Sequence, residues 1–326
     1  DLIQHRGPDD NGFYVKNNIG LGSRRLSIID ISTGHQPISN EDRTIWIVFN
    51  GEIYNFLKLR EELVHRGHKF ITDSDTESIV HGYEEFGEEI FQKLNGMFAI
   101  AIWDENKQKL LLARDRAGEK PLHYFNNSNT FLFGSEIKSL LLHPEISKEI
   151  NWNAFDEFFS FGYISAPDSI YKNIKKLKQA HYLILQNGVV TEKPYWKIDL
   201  NNKNIYTYQE AQEHCFKLLE DSVKIRLMSD VPLGAFLSGG IDSSIIVALM
   251  AKNSSKPVKT FSIGFDYSDF DETKYAKIIA DKYTTEHTEL IVTPNYSALI
   301  ESILSNFDEP FGDSSALPTY LVSKLT

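Results

Sequence analysis

The sequence predicts two domains of different class: a layered α+β domain over residues 1–200, then an α/β domain built on a parallel sheet over residues 205–326. Three observations carry this reading. The first half is dominated by short runs rich in Ile, Val, Phe and Trp, with helices inserted between them, the pattern of a layered sheet domain. The second half alternates strand-like apolar runs with helical periodicities, as in a parallel sheet with helices on both faces. A polar stretch at residues 199–204 separates the two halves. A chain of 326 residues is comfortable for two domains, and a hydrophobic fraction of 41% supplies their cores.

In chain order, residues 12–16 and 19–29 are expected as strands joined by a hairpin turn at Asn17-Asn18. Residues 44–50 form the next strand. A helix follows from Asn55, a good N-cap, and stops at Gly67, a good C′ residue. Ser74-Asp75-Thr76-Glu77 reads as a capping box that opens a second helix ending near Gly87. Strands are then expected at residues 97–103, 109–114, 123–125 and 130–134. Residues 165–178, with Pro167 and several lysines, read as a surface excursion. In the second half Thr207-Tyr208-Gln209-Glu210 is another capping box. It opens an amphipathic helix with Ala211, Cys215, Leu218, Leu219 and Ser222 on one face. A short strand (234–237), a Ser/Gly loop, an apolar helix (243–252), a strand (258–264), a helix (271–282) and a strand (286–292) complete the alternation.

A formal net charge of -11 argues against a nucleic-acid partner, which needs clustered Lys and Arg. One cysteine, Cys215, excludes a disulfide within the chain and fits a reducing cytosol; on the apolar face of its helix it is expected in the core. No apolar run is long enough to span a membrane, and the first residues carry no signal-peptide pattern. The chain starts without Met and ends inside a helical pattern, which leads to the expectation of a piece of a longer protein.

The most informative segment is Ser238-Gly239-Gly240-Ile241-Asp242-Ser243-Ser244, between a strand and a helix. Its glycines allow close backbone approach to a ligand, and the helix that follows offers free N–H groups and the positive end of its dipole to an anion. Ser238, Ser243 and Ser244 add hydroxyl donors. Asp242 beside an anion makes sense when a cation such as Mg²⁺ is shared between them. There is no Gly-Lys-Ser/Thr, so this is not the P-loop of γ-phosphate transfer.

These residues resemble the pyrophosphate-binding loop of the ATP-pyrophosphatase superfamily, with its adenine nucleotide α-hydrolase-like fold. The resemblance implies that Ser238, Gly239, Gly240, Asp242, Ser243 and Ser244 hold the pyrophosphate of ATP and Mg²⁺, and that Leu237 and Ile263 flank the adenine. The first half selects the branch. His5-Arg6-Gly7-Pro8-Asp9-Asp10, Arg25-Leu26-Ser27-Ile28-Ile29-Asp30, Phe49-Asn50-Gly51-Glu52-Ile53-Tyr54-Asn55, Ser74-Asp75-Thr76-Glu77 and Arg114-Asp115-Arg116 occur in this order. The set resembles the class II glutaminase domain of glutamine-hydrolysing asparagine synthetases, a layered α/β/β/α sandwich of the N-terminal-nucleophile type.

By that resemblance Arg25 pairs with the α-carboxylate of glutamine, its planar fork suiting a bidentate contact. Glu52 and Asp75 hold the ammonium, and Asn50 with the Gly51 N–H forms the oxyanion hole. The nucleophile of the family is an N-terminal cysteine whose own amine is the base; the pattern puts it a couple of dozen residues before Asp1. The implied reaction hydrolyses glutamine in the first domain. In the second, ATP activates a carboxylate as an acyl-adenylate, which ammonia arriving through the protein interior converts to the amide. Aspartate is the acceptor the family implies. The segment Asp308-Glu309-Pro310-Phe311-Gly312-Asp313-Ser314-Ser315-Ala316-Leu317-Pro318 is expected near that acceptor; the resemblance implies an arginine near Ser314 to hold the aspartate carboxylate, and there is none between Arg226 and Thr326. Three alternatives stand beside this reading: another carboxylate acceptor, such as a cell-wall, capsule or antibiotic precursor; an ammonia-using synthetase with an inactive glutaminase; and a non-catalytic paralogue that binds nucleotide or glutamine. A cytoplasmic homodimer is the family expectation.

Overall fold

The structure, a computed structural model of the chain, describes residues 2–201, 203–265, 272–292 and 296–326. It divides into two units: Asp1–Asn201 with Asp308–Phe311, and Asn202–Phe307 with Gly312–Thr326.

The first unit opens with a hairpin, β1 (Asp10–Lys16) and β2 (Ile19–Arg25), turned at Asn17 with φ 54°. The strand stops at Arg25 rather than continuing to Ile29, because the Arg25 guanidinium folds back onto the carbonyls of Ile29 and Asp30 and holds them in a turn. There follow β3 (Ile38–Ser39), β4 (Ile45–Ile53), helices α1 (Phe56–His65), α2 (Asp75–Phe86) and α3 (Ile90–Lys93), and strands β5 (Gly96–Asp104), β6 (Lys109–Arg114), β7 (His123–Asn126) and β8 (Phe131–Gly134). Then come α4 (Ile137–Leu140), α5 (Trp152–Phe161), β9 (Ile174–Lys176), β10 (His181–Gln186) and β11 (Val189–Pro194). Six strands make one sheet in the order β11-β10-β6-β5-β4-β3, and three make a second in the order β8-β7-β9; within each sheet neighbouring strands are antiparallel.

The layering follows from the period of two along the central strands. On β5, Ala99, Ala101 and Trp103 enter a core with Leu110 and Leu112 of β6, Leu183 of β10, Leu21 of β2, Tyr124 of β7, and Leu122 and Leu177 beside β7 and β9. Phe98, Ile100 and Ile102 point the other way and are buried as well. That second face is covered by the early helices: Tyr83 of α2 donates to Asp104 Oδ2 at 3.0 Å, and Phe91 of α3 packs on Tyr182. On the far side, Phe125 and Ile174 meet Ile137 and Leu140 of α4. The stack is therefore helix, sheet, sheet, helix.

Several local expectations change. Asn55 does not cap α1 with its side chain; it accepts from Asn95 N and donates to Lys93 O, tying the helix entry to the approach of β5. Ser74 caps α2 through Thr76 N, but Glu77 does not close a box. Its carboxylate instead accepts the N–H groups of Ile71 and Thr72. The predicted surface excursion at 165–178 is part of the core: Ile170, Ile174 and Leu177 are buried, and β9 pairs with β7.

The second unit contains α6 (Tyr208–Arg226), β12 (Gly234–Phe236), α7 (Ile241–Asn253), β13 (Lys259–Phe265), α8 (Thr273–Tyr283), β14 (Glu286–Val292), α9 (Tyr296–Leu304) and α10 (Ala316–Leu325). The three strands are parallel in the order β12-β13-β14. Thr207 and Glu210 form both halves of the capping box of α6. The predicted helix start at Asp271 lies outside the described residues. Cys215 is a correction: it is exposed, because among the described residues α7 covers only part of the apolar face of α6, with Val223 packed on Leu249 and Met250. Tyr208, Ala211, Cys215, Phe216 and Leu219 line a groove of about 400 Å³ with Ile245 of α7. Among the described residues no helix is long and apolar enough to cross a membrane.

Candidate active sites

The first site is a cavity of about 370 Å³ in the first unit, and Arg25, Asn50, Gly51, Glu52 and Asp75 all line it. Each is placed by its element. Arg25 ends β2, where two carbonyls fix one guanidinium nitrogen at 2.8 and 2.7 Å. Asn50, Gly51 and Glu52 lie on β4, opposite Ala99, Phe98 and Met97 of β5. A side chain at position 51 would put its Cβ 2.0 Å from the Met97 carbonyl oxygen, so the close pairing of the two strands demands glycine. Asp75 starts α2 and accepts the Ile53 N–H at 2.9 Å.

The electrostatics are set by the burial of two carboxyls on a wall that Arg25 and Lys120 also line. Burial pushes the Glu52 carboxyl up to about 8, with the nearby Asp75 adding to the rise and Lys120 and Arg25 opposing it. Burial likewise raises Asp75 to about 6, against the lowering effect of its backbone N–H donors. Two desolvated carboxyls facing one cavity favour a cation between them. Asn50 Nδ2 is buried and makes no hydrogen bond, a donor held ready on the same wall. A second cavity of about 330 Å³, reaching between the sheets to Val48, Ala99 and Leu122, shares Arg6, Phe49 and Asn50 with the first.

Lys120 is a lining residue that sequence reasoning missed, as are Arg24, Gln36 and Met97. It is half-buried, and burial lowers its pKa. Its position is set by Asp115, wholly buried, whose carboxylate accepts the N–H groups of Phe98, Ala117, Glu119 and Lys120. The Arg114-Asp115-Arg116 motif was the available signal, but it pointed to the organiser and not to the residue being organised. The His5-Arg6 motif has a similar supporting part. Both side chains pair with Glu136, His5 at 3.0 Å and Arg6 at 3.2 Å.

The second site is the loop of the second unit. The helix begins at Ile241, two residues earlier than the sequence suggested, with Gly240 at its N-cap. Asp242, Ser243 and Ser244 therefore lie in the first turn of α7. Ser238 Oγ lies 3.1 Å from Ser243 Oγ and accepts the Gly240 N–H at 3.3 Å. Gly239 has φ +83°, and a Cβ there would sit 2.5 Å from the backbone nitrogen of Ala276. Leu237 is buried and donates its N–H to Phe261 O at 2.9 Å. Ile263 is half-buried two residues further along β13. Ser244 Oγ is buried without a hydrogen-bond partner. An orphaned hydroxyl, free helix N–H groups and a glycine cradle together suit an anionic ligand.

Asp308 and Glu309, expected near an acceptor, belong to the first unit. Asp308 accepts the Lys138 N–H at 3.0 Å, and Glu309 accepts the Ile170 N–H at 2.8 Å and pairs with Lys176 at 2.6 Å.

Comparison with known proteins finds a family for each half of the chain. A glutamine amidotransferase domain model matches residues 1–196, and an asparagine synthase model matches residues 215–326. Asparagine synthetase (glutamine-hydrolyzing) 1 of Bacillus subtilis is 41% identical over 326 residues, covering 99% of this chain and 51% of that protein. Putative asparagine synthetase (glutamine-hydrolyzing) 2 of Methanocaldococcus jannaschii is 41% identical over 348 residues, covering 99% and 67%. Amidase chry2 of Gibberella zeae is 35% identical over 309 residues, covering 86% and 44%. The chain thus spans about half the length of the Bacillus relative.

Proposed function

The chain belongs to the glutamine-hydrolysing asparagine synthetase family, and from that premise we propose that the whole protein transfers the amide nitrogen of glutamine to an acceptor carboxylate at the expense of ATP. The observation that carries the glutaminase half is the single cavity holding Arg25, Glu52, Asp75 and the unpaired amide of Asn50. Arg25 takes the α-carboxylate of glutamine, Glu52 and Asp75 take its ammonium, and the side-chain amide reaches Asn50 and the Gly51 N–H. The catalytic nucleophile is the cysteine that the family places upstream of Asp1. As it attacks, the amide oxygen gains charge that Asn50 and Gly51 stabilise. The cavity that continues from Asn50 between the sheets supports an interior path for the ammonia.

In the second unit, ATP is the co-substrate. Ser238, Gly239, Gly240, Ser243 and Ser244 hold its pyrophosphate, Leu237 and Ile263 bracket the adenine, and Asp242 holds Mg²⁺, which neutralises phosphate charge. An acyl-adenylate of the acceptor is the species that ammonia converts to the amide. Aspartate is the first acceptor to test. The lack of an arginine near Ser314 supports a second reading, in which a different carboxylate is amidated; the chain is also 35% identical to a relative named as an amidase. Pyrophosphate release by the full-length protein, with glutamine and aspartate against a panel of other carboxylates, decides between them. Release with aspartate supports asparagine formation. Release only with another acid sinks it, and release with none sinks both.

A further inference from the structure

Away from both sites, four side chains converge at the far end of the first unit's early helices. They are Glu41, in the turn between β3 and β4; His68, just past α1; and His81 and Glu84, three residues apart on one face of α2. One ligand atom from each lies within 4.8 Å of all the others. His81 Nδ1 is 3.2 Å from Glu41 Oε2 and 3.9 Å from Glu84 Oε2; His68 Nδ1 is 3.2 Å from Glu41 Oε1 and 3.8 Å from Glu84 Oε2. None of the four lines the glutamine cavity.

We propose that Glu41, His68, His81 and Glu84 bind one zinc ion that fastens the 40–44 turn, the exit of α1 and the middle of α2 together. Three observations lead there. The spacing suits the ion: Zn–N and Zn–O bonds of about 2.0–2.2 Å put tetrahedral ligand atoms roughly 3.3–3.5 Å apart, so the widest pairs need to draw in by about 1 Å. His81 is 1% exposed, yet its Nδ1 is buried, faces the cluster and makes no hydrogen bond. A buried ring nitrogen that makes no hydrogen bond is costly, and a metal ion would satisfy it. Finally, the outer nitrogens already have the partners that orient metal-binding imidazoles. His81 Nε2 lies 3.3 Å from Glu77 Oε1 and His68 Nε2 lies 3.6 Å from Glu85 Oε2. The Glu77 carboxylate behind His81 is placed to hold that ring with its Nδ1 toward a metal. Two imidazoles with two carboxylates favour zinc over the all-oxygen preferences of Mg²⁺ and Ca²⁺.

The competing reading is a proton in place of the metal, with an imidazolium among carboxylates. Full-length, tag-free protein is stripped with a chelator, then titrated with zinc chloride in competition with a chromophoric chelator. Zinc per chain is counted by mass spectrometry after desalting, and melting is followed with and without the metal. The expected result is one zinc per chain beyond that retained by a His68→Gln/Glu84→Gln double variant, with a melting temperature several degrees higher when it is bound. Each single variant, and Glu41→Gln, should weaken binding by roughly tenfold or more while the stripped proteins keep the wild-type circular dichroism. Cobalt should give visible absorption bands of tetrahedral strength in the wild type only. Equal zinc uptake by wild type and double variant overturns the proposal, as does an unchanged melting temperature. Neither readout depends on glutaminase or synthetase activity.

Discussion

Asn50 offers the sharpest single-residue test. Its Nδ2 makes no hydrogen bond in the native chain, so Asn50→Ala breaks no existing bond. We expect glutaminase kcat of the full-length protein to fall by about 10²–10³-fold, with KM for glutamine and the melting temperature nearly unchanged. The Glu52–Asp75 pair makes a pH prediction whose sign follows from its raised pKa values, about 8 and about 6. In the free protein at pH 7 Glu52 is mostly protonated. An ammonium placed between the carboxyls favours their ionised forms, so glutamine binding should release about one proton at pH 7 and tighten as pH rises from 6 to 8. Calorimetry in buffers of different ionisation enthalpy measures this; proton uptake would contradict the ammonium assignment. The carboxylates, Arg25 and the Asn50-Gly51 pair were legible in the sequence because each sits in a short local motif. Lys120 was not, since its place depends on Asp115 gathering four backbone N–H groups from two segments, and no spacing rule encodes that. Asp115→Asn, which leaves some of those donors unmet, should destabilise the protein by about 2–3 kcal/mol in urea melts and weaken glutamine binding through Lys120.

At the level of elements, strands read well wherever one run of residues fills both faces of the large sheet, as β5 and β6 do. The stretch after residue 150 did not read well. β9 carries Lys175 and Lys176, and with Pro167, Lys172 and Lys178 nearby the stretch suggests a solvated loop. Lys176 is held instead by the Ile164 carbonyl and by Glu309, a partner 133 positions away that no local pattern can supply. The start of α7 was misplaced for a different reason. Ser243 and Ser244 looked like loop residues, but Ser243 turns its hydroxyl onto the Gly240 carbonyl and Ser244 joins the helix ladder through its N–H. Gly239 ties this loop to α8. Gly239→Ala sets a Cβ against the backbone of Tyr275 and Ala276 and forces a left-handed φ on alanine. It should cost about 1–3 kcal/mol and abolish pyrophosphate release while leaving glutaminase activity in place.

For the molecule as a whole, the two-part division was legible in composition, from strand-rich to alternating. The return of residues 308–311 to the first unit was not, because it rests on Asp308 and Glu309 finding Lys138 and Lys176. Glu309→Gln removes the charge from a mostly buried pair, and we expect a loss of about 2 kcal/mol in the stability of the first unit, read by hydrogen exchange across β9. The exposed part of the apolar face of α6 has a practical use as well. Cys215 is the single thiol of these 326 residues, and it stands at the edge of an apolar groove. An environment-sensitive fluorophore attached there would report from one known position. Its emission would shift to the blue, and its quenching by iodide would fall, whenever another surface came to rest on that helix.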